Sequence, residues 1–394
     1  MNNHFNFDQE IDRSSTDATK YAELRDKYGR SDLLPMWIAD MDFASPRPVI
    51  DALKDSLNEP VIGYTTAPDS FWGSITSWLD RRHAWKIDRR SIDFVPGVKK
   101  GIGLCINYFT KPGDTIIIQP PVYHSFRSVI EGNGRKAVDN PLILDGDTYR
   151  IDFDGLQTVI EQTRPVMLIF CNPQNPAGIQ WSRSDIERLV DICHSRGLLI
   201  LSDEIYGDLV FKTTVHIPTA SVSAKAAEIT VTLGAPSKSF NIPGMASAWT
   251  AVLNPRLREG FFSWLNASEF DTPPMHAIYA TRAAYDHCEP WLDAVLDYLE
   301  DNAKFARDML SDNLPSLNVI MPNAGFGLWI DFNPLGLSHP MLSDLIVNKA
   351  QLALSDGCSF GSGGEGYMRL NIGVPRQVLK RGLDRLIETF RPLM

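Results

Sequence analysis

The sequence predicts an α/β protein: a mostly parallel central sheet in a large domain, followed by a smaller α+β domain. Three observations carry this expectation. From about residue 96 to residue 255, short apolar runs alternate with amphipathic helical patterns. Beyond residue 275 the pattern changes to one long helical stretch, then alternating strand-like and helical segments. A length of 394 residues leaves room for two or three domains at roughly 150 residues each.

Residues 1–45 read as an irregular arm ending in Trp37-Ile38-Ala39-Asp40-Met41-Asp42-Phe43, after which Pro46 and Pro48 open a helix toward Asn58. Thr115–Gln119, Val166–Cys171, Leu198–Ser202, Ile229–Leu233 and Ala248–Leu253 read as strands. They are near-continuous apolar runs, as a sheet covered on both faces requires. Among the intervening helices, Ser182–Arg196 sets Ile186, Leu189, Val190 and Cys193 on one face. A long helix over Ala277–Leu310 follows, then a strand over Gly327–Phe332, a helix over Met341–Leu352, a strand over Tyr367–Ile372 and a last helix over Arg376–Phe390. The expected division is an arm over 1–45 joined to part of the small domain, a large domain over 46–285 and a small domain over 286–394. That boundary falls inside the long helix because no Gly or Pro interrupts Ala277–Glu289.

Composition excludes several partners. With 38 basic and 48 acidic residues the net charge is −10, and no basic cluster offers itself to nucleic acid phosphates. The longest apolar runs fall well short of the roughly 20 residues a membrane span needs. Met1–Lys20 lacks the cationic start and apolar stretch of an export signal, so a cytoplasmic location is expected. Five widely spaced cysteines read as free thiols, and no ligand spacing calls for a metal. Gly361-Ser362-Gly363-Gly364-Glu365-Gly366 fits a dinucleotide fingerprint by letter, but it leads into a strand where that fingerprint must open a helix. It reads as a loop on the substrate side.

The chemistry-bearing segments sit at or near strand ends, where open α/β sheets place their ligands. They are Asn172-Pro173-Gln174-Asn175-Pro176-Ala177-Gly178, Ser202-Asp203-Glu204-Ile205-Tyr206, Ala235-Pro236-Ser237-Lys238-Ser239 and Tyr367-Met368-Arg369-Leu370-Asn371. Taken singly, each has an ordinary structural explanation. Taken together, they suit an electrophilic aromatic cofactor: a lysine among small hydroxyl residues for a Schiff base, a carboxylate for a ring nitrogen, an amide and a phenol for a ring oxygen. Those are the needs of pyridoxal 5′-phosphate. Pro96-Gly97-Val98-Lys99-Lys100-Gly101 adds backbone N–H groups at a helix start for the phosphate.

These motifs, with the Trp37–Phe43 segment, Gly63-Tyr64-Thr65, Pro120-Pro121-Val122-Tyr123 and Phe360-Gly361-Ser362-Gly363-Gly364, resemble in order and over essentially the whole chain a fold-type I pyridoxal-phosphate enzyme of the class I/II aminotransferase superfamily. The branch most closely resembled is the MalY/PatB-type cystathionine β-lyases. The resemblance implies that Lys238 is the Schiff-base lysine, Asp203 the partner of the ring nitrogen, Asn175 and Tyr206 the partners of the ring oxygen, and Tyr123 the stacking aromatic. It further implies phosphate contacts from Ser237, Val98 and Lys99, a substrate-carboxylate contact from Arg369, and a homodimer in which Tyr64 crosses to the neighbouring subunit's site. Ala246, Gln174, Ala177, His124 and Tyr206 depart from residues frequent at these places.

The activity implied is carbon–sulfur β-elimination on cystathionine or cysteine S-conjugates, giving thiol, pyruvate and ammonia. Transamination shares the early steps and stays open as the alternative. A non-catalytic binding or regulatory protein on the same fold is disfavoured by the complete set Lys238, Asp203, Asn175 and Arg369.

Overall fold

The structure, a computed structural model, describes residues 5–394. The first four residues of the arm expected over 1–45 lie outside the described residues. In chain order, the elements that frame the site begin with α1 (Arg47–Ser56), α2 (Asp69–His83), β1 (Ile92–Val95), α3 (Val98–Phe109), β2 (Thr115–Ile118) and β3 (Lys136–Asp139). They continue with β4 (Met167–Cys171), α4 (Arg183–Ser195), β5 (Leu199–Asp203), β6 (Thr230–Gly234) and β7 (Ala248–Val252). These seven strands form one sheet in the order β1-β7-β6-β5-β4-β2-β3. All neighbours run parallel except β7, which is antiparallel to both β1 and β6.

Alternation along the strands explains why the sheet is apolar on both faces. Met167, Ile169 and Cys171 of β4 pack with Val98, Ile102 and Ile106 of α3, whereas Leu168 and Phe170 pack with Ile186, Leu189, Val190 and Cys193 of α4. Each fully buried Ile or Leu in these layers contributes about 2 kcal/mol. Ser182 caps α4, its hydroxyl accepting the Asp185 N–H at 3.1 Å. Gly97, at φ 104, turns the chain from β1 into α3, a backbone angle that favours glycine.

The expected single helix over Ala277–Leu310 is two helices, α5 (Met275–His287) and α6 (Glu289–Asn313), meeting at Cys288. Pro290 is the cause: it has no N–H to give to the carbonyl one turn back, and it is tolerated only in the first turn of a new helix. The helix expected over Met341–Leu352 spans His339–Asp344 and continues as one wider turn over Leu345–Lys349; Gln351, at φ 54, ends the run. β1, β3 and α2 add to the elements expected from the sequence.

A second sheet contains β8 (Asn318–Ile320), β9 (Gly327–Asp331), β10 (Ser355–Asp356) and β11 (Tyr367–Asn371), in the order β8-β9-β11-β10, all antiparallel. The last long helix, α7 (Arg376–Phe390), buries Leu379, Leu383, Leu386 and Phe390 in a core shared with α1, α2, α5, α6 and one face of this sheet. The arm forms a separate two-stranded sheet, Leu34–Pro35 pairing in parallel with Leu352–Ala353, and the Asp42 N–H donates to the Gly373 carbonyl just beyond β11. No helix among the described residues is long and apolar enough to cross a membrane.

Candidate active site

The parallel strands deliver their C-terminal ends to one place. Asp203 is the last residue of β5, Asn175 lies just beyond β4, and Lys238 sits in a short helical turn after β6. Arg369 reaches them from β11 of the second sheet, where it pairs in register with Trp329 and Ser355. A cavity of about 260 Å³ is lined by Val98, Lys99, Tyr123, Asn175, Asp203, Tyr206, Lys238 and Arg369. Of the ten residues singled out from sequence, that leaves two. Ser237 is half-buried beside Lys238 but does not line the cavity, and Tyr64 is fully exposed on the stretch between α1 and α2.

The electrostatics of the cavity are those of groups that lack partners. Burial pushes the Asp203 carboxyl up to about 7, against a single backbone donor, Ile205 N–H at 3.1 Å. Burial likewise pulls the Lys238 ammonium down to about 8, while the nearby Asp40 and Asp203 carboxylates oppose that shift. The Lys238 amine donates to the Ala39 carbonyl.

Arg369 is buried, and no carboxylate among the described residues pairs with it. Its Nη1 donates to Asn175 Oδ1 at 2.8 Å; its Nη2 donates to the Trp37 carbonyl and to Ser355 Oγ, both at 3.0 Å. The guanidinium lies 5.1 Å from the Phe360 ring centroid. Gly327 permits this placement, since a Cβ there would come within 2.8 Å of Arg369 Cδ. A buried cation with donors to spare is poised for a planar anion.

The match to known proteins extends beyond the cavity. The profile described as "Aminotransferase class I and II" matches residues 32–386. The chain belongs to the class I and II aminotransferase family. Within the family, it is 38% identical to cystathionine β-lyase PatB of Bacillus subtilis, over 97% of this chain and 98% of that protein. It is 33% identical to protein MalY of Escherichia coli, over 98% and 99%. Among solved structures, cystalysin of Treponema denticola, with its pyridoxal 5′-phosphate cofactor, superposes with a TM-score of 0.95 at 30% identity, covering 99% of this chain and 100% of that one. The pyridoxal-phosphate-bound C-S lyase of Staphylococcus hominis superposes at 0.91, also at 30% identity, covering 98% of each chain.

In this family member, sequence reasoning missed the arm's part in the site. Trp37 and Ala39 contribute backbone carbonyls, which no residue-type pattern advertises. The segment carrying them is pinned by Asn371, whose amide donates to the Ile38 and Asp40 carbonyls at 2.8 and 2.7 Å. A buried ion cluster pins it too: Lys20 contacts Asp40 and Asp42 at 3.3 and 2.9 Å, and Arg13 contacts the same pair at 2.9 and 3.3 Å. The signal available in sequence was the Trp37–Phe43 segment itself, which resembles the family's without pointing to a role in the site.

The glycine-rich 361–366 segment leads into β11 and opens no helix, in keeping with the rejection of a dinucleotide site. His339, Asp356 and Cys358 form a close set of potential metal ligands. The Gly366 N–H donates to His339 Nδ1 at 3.1 Å, which leaves Nε2–H to donate to Asp356 at 2.9 Å. Both ring nitrogens are therefore engaged within the protein. Four of the five cysteines are buried free thiols, and Cys358 is exposed.

Proposed function

We propose that this protein is a pyridoxal 5′-phosphate-dependent carbon–sulfur β-lyase that acts on cystathionine or related cysteine S-conjugates and releases thiol, pyruvate and ammonia. The observation that carries it is the meeting, in one cavity, of an amine of depressed proton affinity, a buried carboxylate with one donor, and a buried guanidinium with no anion. The full-length likeness to PatB, named a cystathionine β-lyase, favours elimination over transamination.

The donor set fits the cofactor. Asp203, uncompensated in its buried site, suits the proton of a ring nitrogen, and its carboxylate would keep that proton in place. Asn175 and Tyr206 would bond the ring oxygen, and Tyr123 would cover a ring face. The first N–H groups of α3, at Val98 and Lys99, and the Ser237 hydroxyl would hold the phosphate. Lys238 would be the point of covalent attachment. When bound, the cofactor supplies a sink for the electrons released at the substrate α-carbon.

The remaining work belongs to side chains. Once free, the Lys238 amine, whose proton affinity burial depresses, is the group in the cavity to take the α-proton and return it. Arg369 fixes the α-carboxylate and so decides which bond at the α-carbon faces that amine. We further propose a homodimer in which Tyr64 serves the partner's site. The exposed row Leu57, Val61, Ile62 and Tyr64 supports this, because it is apolar surface that a second subunit would cover.

The test is a purified enzyme given a cysteine S-conjugate and no keto acid. Stoichiometric thiol and pyruvate are expected. Amino transfer that needs a keto-acid acceptor and releases no thiol would replace the lyase with an aminotransferase.

A further inference from the structure

Behind the cavity lies a buried polar network that the reaction does not use directly. It joins three segments: the Asn172 turn after β4, the end of β5 at Ser202–Glu204, and the 216–219 stretch. Its members Asn172, Gln180, Ser202, Glu204, His216 and Thr219 are each less than 10% exposed. Two carry charge chemistry, His216 and Glu204, with Nε2 and Oε2 2.9 Å apart.

The protons of this network can be assigned from one fixed point. The Ile217 backbone carbonyl can only accept, so the group 3.0 Å away must be the Asn172 amide nitrogen. That orients Asn172 with Oδ1 toward Gln180, whose Nε2 donates to it at 3.0 Å and to the Trp181 carbonyl at 3.1 Å. Gln180 Oε1 is thereby turned to His216 Nδ1 at 2.8 Å, and an amide oxygen there requires an N–H in return. His216 Nδ1 therefore carries a proton. Glu204 Oε1 is occupied by the Ser202 hydroxyl at 2.8 Å and the Thr219 N–H at 2.9 Å. Between Nε2 and Oε2 there is then one proton: with none, a lone pair would face a carboxylate, and with two, two hydrogens would collide.

We propose that His216 is a positioning residue: sharing one proton with Glu204, it clamps the turn that carries Asn175 to the strand end that carries Asp203. The two residues flank the same cavity, and the clamp fixes their separation. The Asn172 N–H bonded to the Asp203 carbonyl at 3.0 Å is the backbone half of this link; the amide chain through Gln180 to His216 is the side-chain half. The other titratable groups facing His216 are His83, whose ring centroid is 5.2 Å away, and Asp208. Asp208 is engaged elsewhere, its Oδ1 with His83 and Trp78 at 2.7 and 2.8 Å and its Oδ2 with Ser239 at 2.7 Å. It does not compete for the shared proton.

The inference rests on the cofactor reading for its consequence but not for its protonation state, so two measurements separate them. In the full-length protein with ¹⁵N-labelled histidine, without added cofactor, the His216 ring is expected to keep a protonated Nδ1 and to show no titration from pH 6 to pH 9. A His216→Gln difference spectrum assigns it. Loss of the Nδ1 proton, or a midpoint near 6.5, would overturn the pair.

The second measurement is the dissociation constant for pyridoxal 5′-phosphate, followed by visible absorbance. Glu204→Gln is expected to stay within about threefold of the parent, because its amide can donate to a neutral Nε2 while its oxygen keeps the Ser202 and Thr219 donors. His216→Phe and His216→Gln, which break the chain, are expected to weaken binding about tenfold or more. Unchanged binding in a folded His216 variant, or equal loss in Glu204→Gln and Glu204→Leu, would reduce the network to ordinary packing. A parent protein that binds no cofactor would sink the cofactor reading, with the histidine spectrum still deciding the pair.

Discussion

Replacing Arg369 is the perturbation whose size the structure lets one work out. The guanidinium has five N–H donors, and three are committed to Asn175, Trp37 and Ser355. The two left over, on Nε and Nη1, lie on different edges of the fork, so a two-point contact with a substrate carboxylate re-aims one of the Nη2 hydrogens now given to Trp37 and Ser355. A charge-assisted hydrogen bond in a buried site is worth about 2 kcal/mol, so Arg369→Ala removes about 4 kcal/mol of binding to that group. At about 1.4 kcal/mol per factor of ten, kcat/KM should fall about 1000-fold. Arg369→Lys keeps the charge but offers no planar pair of donors; losing one of the two bonds predicts a fall of about 30-fold. The assay is initial-rate thiol release from a cysteine S-conjugate and from its α-carboxamide, with cofactor content checked by absorbance. On the carboxamide, parent and variants should converge. Equal losses on both substrates, or unchanged kinetics on the carboxylate, would refute the assignment and make Arg369 a brace between the two sheets.

Other outcomes follow from the same site. Borohydride reduction of the parent should fix the cofactor mass on the Lys238 peptide, and Lys238→Ala should retain none; attachment to another lysine would displace the assignment. In the cofactor-free protein, Asp203 is raised from 3.8 to about 7, so between those values the folded state binds more protons than the unfolded state. This group's contribution to stability therefore falls as pH rises from about 4 to 7, and thermal melts of Asp203→Asn should lack that decline. An identical pH slope in parent and variant would contradict the burial argument. For the shared site, mixing Tyr64→Ala and Lys238→Ala chains should restore activity in isolated heterodimers, because one site then carries neither defect. Verified heterodimers with no recovery would confine Tyr64 to its own subunit.

The sheet and the cavity were legible in the sequence for different reasons. Runs such as Met167–Cys171 and Thr230–Gly234 announce a strand covered on both sides, and the ends of such strands are where Asp203, Asn175 and Lys238 stand out as polar residues with nothing local to do. β3 gave no such signal: Lys136-Ala137-Val138-Asp139 is an edge strand, short and charged at both ends, as edges are when they avoid pairing with other chains. β1 hides an aspartate, Asp93, in a strand of four residues. The Cys288 break has its cause in Pro290, one residue beyond the Ala277–Glu289 stretch that neither Gly nor Pro interrupts. In the site, what escaped was whatever depends on backbone or on distant segments. The carbonyls of Trp37 and Ala39 carry no residue-type information, and the Asn172–Gln180–His216–Glu204 chain exists only after β4 and β5 have been laid side by side.

The arm has a consequence for how the protein is made. Arg369 reaches back 332 positions to the Trp37 carbonyl, and Asn371 reaches 333 positions to that of Ile38. On the ribosome, Trp37 and Ile38 emerge early, and their carbonyls wait until the second sheet is nearly complete for the side chains that bond them. A product that stops before residue 369 carries the seven strands and Lys238, yet it lacks the cation proposed to grip a substrate. The group proposed to hold the substrate carboxylate thus enters the chain only near the end of translation, and interrupted products are left without it.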